Sequence, residues 1–270
     1  MSLPDKPLFY KVAEVKIADR KFIYPPFSIE FSQTLQTGKI STSNVKLYNP
    51  APETIKLAEG IPTGTTKIYP NVTVSAGYET DYGITVYGEI IDYKVVKENQ
   101  DTILEMNISD ITSTWANFNI LESWTNSSTT KILSEMLDLA DIKYEISLGE
   151  DKIYSKCTAK NFRRAVKNIL KDTKSQFCFK NGVMIIEPKT PILKQESAFI
   201  SPETGLLGKI EKNSKGYLFK TLFLYKIQIG DIVKIEDKNI PSSRVKIIEV
   251  KRNFSTFGDS GCVFKAVEVI

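Results

Sequence analysis

Apolar and polar positions alternate with a period of two through residues 8–112. In "FSIEFSQTL", Phe27, Ile29 and Phe31 fall on one face and Ser28, Glu30 and Ser32 on the other. "NVKLYN" repeats the pattern with Val45 and Leu47. "LFYKVAEVKI", "NVTVSAGYE", "GITVYGEIIDYKVVKE" and "DTILEMNISDIT" read as further strands, with "KENQD" as a polar hairpin turn. "PAPETIKLAEG" interrupts them as a short helix, with prolines near its start, Glu53 in its first turn and Gly60 as its stop. Short strands at this spacing predict a small barrel, because closure removes exposed edges.

The alternation breaks at 113–126, which hold both tryptophans, Trp115 and Trp124, and read as a connector packed on that barrel. A helical period starts at Ser127. In "SSTTKILSEMLDLADI", Ile132, Leu133, Met136, Leu137 and Ala140 share one face behind hydroxyl caps at Ser127 and Ser128. "KYEISL" is a strand. "NFRRAVKNILKDTKS" is a second helix, capped by Asn161, with Phe162, Ala165, Val166, Ile169 and Leu170 inward. "QFCFKNGVMIIEPK" is a hairpin turning at Asn181-Gly182. Residues 190–200 serve as a linker. From "SPETGLLGKIEKN" onward a second β pattern gives five short strands, enough for another small barrel. The expected fold is α+β, mainly β, with two small β-barrels flanking a helical module. The expected units are 1–126 (first barrel, inserted helix and connector), 127–199 (α+β module and linker) and 200–270 (second barrel).

Charge sharpens this division. The net charge of +4 is unevenly spread: the first block is acidic, the middle and last blocks are basic. The middle helix carries the densest cluster, Lys160, Arg163, Arg164, Lys167, Lys171 and Lys174. Arg163, Lys167, Lys171 and Lys174 follow one another at steps of four and three along one face. Arg163, Lys167 and Lys171 are therefore candidates for contact with an acidic subunit or partner, against the simpler reading of a solvated face.

Candidate chemistry is sparse. The chain has no histidine, which excludes Ser-His-Asp and Cys-His nucleophile systems and imidazole metal ligands. "GDSGC" at 258–262 resembles a protease nucleophile segment but has no histidine to activate Ser260, so it reads as a hairpin turn. No phosphate-cradling glycine loop is present. Asp138 and Asp141 could share a helix face but read as solvated surface, and Glu150-Asp151 reads as a turn. The three cysteines, Cys157, Cys178 and Cys262, lack metal-like spacing and read as free thiols of a reducing compartment. No catalytic, cofactor-binding or metal residue is nominated. Neither a run of about 18 apolar residues nor a signal-peptide pattern is found, so the expected site of synthesis is the cytosol.

The order of modules resembles a known family, the baseplate hub (tail hub) proteins of bacteriophages and related contractile particles, including the late control protein D group. The resemblance rests on "FSIEFSQT", "STSNVKLYNPAPETIKLAEG", "NVTVSAGYE" and "TVYGEIIDYKVVKENQDTILEMNISD" in the first block. It continues through "SSTTKILSEMLDLADI" and "NFRRAVKNILKDTKSQFCFKNGVMIIEP", then "SPETGLLGKIEKNSKGYLFKTLFLYKIQIGDIVKIED" and "SRVKIIEVKRNFSTFGDSGCVFKAVEV". Each stretch is a loose pattern of strands and turns, and their order carries the specificity. The resemblance implies a homotrimer whose paired barrels make a pseudo-sixfold ring. Such a ring adapts a hexameric tail tube to a trimeric central spike. It implies the tail tube protein, the spike and other baseplate proteins as partners, no small-molecule substrate or cofactor, and a place in the tail particle. Many relatives carry a fused spike or cell-wall hydrolase; here the barrel pattern runs to the last residue, so those functions are expected on separate chains. Two other readings stay open: a tail-tip protein of a non-contractile phage, and a nucleic-acid binder with two OB-like barrels, for which "GYLFKTLFLYK" would offer stacking aromatics.

Overall fold

A computed structural model describes residues 10–63, 66–79, 81–110, 115, 118–190, 195–214 and 216–269. In the first block, β1 (Lys11–Ile17) pairs antiparallel with β2 (Arg20–Tyr24) and β3 (Ile29–Gln36) with β4 (Thr42–Tyr48); β1, β3 and β4 alternate as the sequence predicts, and β2 went unpredicted. Ala13, Val15 and Ile17 point inward from β1, and Ile29, Phe31 and Leu35 from β3. Helix α1 (Pro52–Ala58) follows, starting at Pro52 and ending before Gly60, whose φ of 74° only glycine adopts readily. A separate small hairpin, β5 (Ile61–Thr63) with β6 (Thr66–Ile68), leads into β7 (Asn71–Tyr78), β8 (Asp81–Glu98) and β9 (Asp101–Ser109). At 18 residues β8 is the longest strand; its first half pairs with β7 and its second with β9. It passes this switch at Gly88, where a Cβ would collide with the Ser109 carbonyl.

The middle of the chain contains β10 (Glu122–Ser128), α2 (Thr129–Leu139), β11 (Tyr144–Ile146), β12 (Ile153–Ala159), α3 (Phe162–Asp172), β13 (Ser175–Lys180) and β14 (Val183–Pro188). Of the two cap candidates for α2, Ser128 caps it, its side chain accepting from Lys131 N at 3.2 Å, while Ser127 Oγ donates to the Thr125 carbonyl; the predicted Asn161 cap of α3 accepts from Arg164 N at 2.9 Å. The β13–β14 turn has positive φ at Asn181 and Gly182, the two-residue geometry that Asn-Gly favours. In this block two strands went unpredicted. Residues 122–128, read as connector, and 153–159 form an antiparallel ribbon, β10 with β12. In the rest of the predicted connector, residues 113–114 and 116–117 lie outside the described residues, and Trp115 and Ile120 are buried.

The last block comprises β15 (Ala198–Ile200), β16 (Leu206–Asn213), β17 (Gly216–Thr221), β18 (Ile232–Ile235), β19 (Ser243–Ser255) and β20 (Gly261–Glu268). β15 falls in the predicted linker and pairs in parallel with β18. "GDSGC" forms the β19–β20 turn, where Ser260 Oγ accepts from Ser255 N at 3.1 Å.

The expected pair of separate barrels is corrected by the strand pairing. β3 of the first block hydrogen-bonds β19 of the last, and a 13-stranded sheet runs from β16 through β19, β3, β4, β9, β8, β7 and β1 to β2. No pair closes it into a barrel among the described residues. The physical reason is the length of β19. Its 13 residues carry an irregularity between Ile247 and Glu249, so residues 243–246 pair with β18 and residues 249–255 with β3. Local alternation reports that β19 is a strand but not which strands it bridges.

A buried cation holds this joint. Arg252, fully buried on β19, donates to Gln33 Oε1 at 2.8 Å and to the carbonyls of Tyr225 and Ile227. Gln33 in turn donates to the Thr85 carbonyl at 2.7 Å. The network links β3, β8, β19 and the loop before β18 without using a carboxylate.

Two apolar cores result. One unites the first and last blocks; the other contains Trp115, Trp124, the inward faces of α2 and α3, and one face of the β13–β14 hairpin. That hairpin joins them. Phe177, Phe179, Met184 and Ile186 point into the middle core, while Cys178 and Ile185 pack on the other. Gly38 N donates to Phe177 O at 2.7 Å, and the Tyr87 ring occupies the place where Gly182 would carry a Cβ. Two ion pairs flank the seam: Lys180–Asp231 at 2.8 Å and the buried Glu187–Lys246 at 2.7 Å.

Candidate interaction surface

Helix α3 is amphipathic because its apolar residues recur at three- and four-residue steps. Phe162, Val166, Ile169 and Leu170 are buried, which leaves Arg163, Arg164, Lys167 and Lys171 exposed on the opposite side. The three nominated residues Arg163, Lys167 and Lys171 lie along one stripe of this helix. Among the described residues none of the three forms an ion pair or side-chain hydrogen bond, and the same is true of Lys160 and the Arg164 side chain. Lys174, predicted to extend the stripe, does not. The helix ends at Asp172, Lys174 takes a φ of 53°, and its ammonium pairs with Glu150. Just beyond the stripe, Lys152 bonds Asp172 at 3.0 Å and Tyr154 donates to the same carboxylate. These hydrogen bonds, Tyr154 first and Lys152 second, hold Asp172 below the usual carboxylate range.

Beside α3 lies a groove of about 380 Å³ lined by Thr158, Ala159, Lys160, Asn161, Arg164, Ala165 and Asn168. It opens between the end of β12 and the helix. The cations were legible in the sequence, but the groove was not, because its other wall is the unpredicted ribbon.

Burial holds the thiols away from the thiolate form. Burial pushes the Cys178 thiol up to about 12 and raises Cys262 and Cys157 as well. Burial lifts Asp110 to about 6, against hydrogen bonds from the Ser41 hydroxyl and the Ser41 amide, the latter at 3.1 Å. Asp138 and Asp141 stand at the C-terminal end of α2, with Asp141 in the left-handed region at φ 51°. No group of three or more metal-ligating side chains occurs among the described residues. The densest exposed charge among the described residues is the cationic face of α3.

No protein-family model matches the sequence, and no curated protein matches it. Solved structures do match the fold. The 43 kDa tail protein of prophage MuSo2 from Shewanella oneidensis superposes with a TM-score of 0.69 at 8% identity, over 95% of this chain and 98% of its own. The tail protein from Neisseria meningitidis MC58 gives 0.70 at 7% identity, over 96% and 97%. The Escherichia coli c3393 protein gives 0.63 at 12% identity, over 94% of this chain and 76% of its own; it is described as a type VI secretion component with structural similarity to the T4 tail proteins gp27 and gp5. At these identities the likeness is one of fold, and this chain has, over nearly its whole length, the fold of phage tail proteins.

Proposed function

We propose that this chain is a structural subunit of a phage tail or phage-tail-like particle, placed in the baseplate hub between tail tube and central spike. The observation that carries the reading is the end-to-end fold match: 95% and 96% of this chain onto 98% and 97% of two tail proteins. The type VI relative, likened in its description to T4 tail proteins, supports a spike-type partner. In this reading three copies form a ring, and the tail tube protein and other baseplate proteins are further partners. The first and last blocks, 1–126 and 200–270, make the ring wall, and the middle unit, 127–199, stands beside it. The two end strands of the sheet, β2 and β16, each keep one edge unpaired among the described residues. A closed head-to-tail ring would cover such edges with one repeated contact. The acidic first block and basic later blocks provide opposite signs for that contact, setting orientation and register more than affinity. The role is non-enzymatic. Imaging of the assembled particle tests the reading: three copies around the axis are expected, whereas six copies, or none on the axis, would end it.

A further inference from the structure

We propose that the groove between β12 and α3 receives an extended, acidic segment of a partner protein, which adds as a strand to the free edge of β12. The proposal deepens the reading of the chain as a subunit of a multi-protein particle and rests on it. Three features converge on it. First, β12 pairs only with β10 among the described residues, so its second edge keeps backbone donors and acceptors available along a run where Ser155, Lys156 and Thr158 are exposed. Second, Lys160 and Arg164 line the groove at the end of this edge, and neither forms an ion pair among the described residues. Third, apolar side chains flank the ribbon where solvent alone would favour polar ones. Leu121 is 80% exposed one residue beyond the Glu122–Ala159 register pair, and Ile153 is 76% exposed at the other end.

An added strand satisfies the edge through main-chain hydrogen bonds and places alternate side chains on one face. Acidic residues two apart would share one face of the added strand and meet the cations. A single-stranded nucleic acid fits the surface less well. Its binding relies on exposed aromatic platforms, whereas Trp124, the aromatic of β10, is buried.

The test uses the full chain and a fluorescent peptide of alternating glutamate and valine, followed by anisotropy. Two comparison probes are the same peptide interrupted by proline and an oligothymidylate of equal charge. The alternating peptide is expected to bind, with loss of its edge hydrogen bonds weakening the proline version by about tenfold or more. Lys160→Glu with Arg164→Glu should weaken it by about tenfold or more as well. Amide shifts on peptide addition should centre on residues 153–159, which keeps the test valid if the double variant misfolds. No binding, equal binding of the proline peptide, or tighter binding of the oligothymidylate through the same two residues would overturn the proposal. Imaging of the particle reads the hub placement separately, so either result can fail while the other stands.

Discussion

The middle unit has two faces that use charge in opposite ways. On the hairpin face, Lys180 and Glu187 are each matched by a residue of the last β block, Asp231 and Lys246. On the α3 face, Arg163, Lys167 and Lys171 have no such match among the described residues and stand exposed. Charge on the first face is committed to seating the unit against the sheet, where removing one member strands the other in a poorly solvated seam. Charge on the second face contributes little to the fold and is available to another molecule. Cations needed for the architecture are thus set apart from cations that stand exposed and unpaired among the described residues, and burial is what distinguishes them.

The comparison breaks first, and hardest, at the buried cations. Arg252→Ala should destabilise the chain by roughly 3–5 kcal/mol, since it opens a cavity and strands Gln33 and two carbonyls. A shift of less than about 1 kcal/mol in urea unfolding would show that the β3–β19 joint does not depend on it. Glu187→Gln should cost roughly 3 kcal/mol by leaving Lys246 buried without its counter-charge. The double change Glu187→Leu with Lys246→Met should recover most of that, because an apolar pair of similar volume often replaces a buried ion pair at little cost.

Asp110 comes next and is read through pH. Its folded value of about 6 lies above the ordinary 3.8, so the folded chain holds the proton more tightly than the unfolded one. Its contribution is therefore fully present below about pH 4 and is lost as pH rises through about 6, a change of about 2–3 kcal/mol. The difference in unfolding free energy between the parent and Asp110→Asn, followed from pH 4 to 8, should show that slope; a flat difference would mean the carboxylate is better solvated than its burial indicates. The smallest effect on folding belongs to the exposed stripe. Arg163→Glu, Lys167→Glu and Lys171→Glu should each change stability by no more than about 0.5 kcal/mol. Together they should reduce incorporation into particles. Normal particles from the triple variant would leave the stripe as a solvated face.

Legibility in the sequence follows the same division between local and distant determinants. β3 could be read because Ile29 and Phe31 alternate with Glu30 and Ser32, and α3 because Asn161 caps a clean apolar period. The hairpin at Asn181-Gly182 was equally legible, since few residues tolerate its dihedral angles. β12 was not, because "IYSKCTA" buries only Ala159 and shows no inward row. β10 was obscured similarly, with only Trp124 and Ser127 buried. A signal for Arg252 was present but unused: Val250, Arg252 and Phe254 occupy the inward phase of β19, and a charge in that phase marks a buried network. For the surface, the stripe of Arg163, Lys167 and Lys171 was readable from spacing. The groove needed the ribbon, whose pairing is not written in either strand alone.

The pairing of β3 with β19 also sets an order of events during synthesis. Residues 29–36 leave the ribosome more than 200 residues ahead of their partner, residues 249–255. N-terminal units begin to fold while the chain is still growing, and contacts between distant segments form slowly. Until β19 arrives, β3 presents a row of unpaired backbone groups next to an unfinished core, the kind of edge through which nascent chains stick to one another. A ribosome that stops anywhere between the two strands releases a sheet with that edge open, so a chain cut between them should be less soluble than one that includes β19.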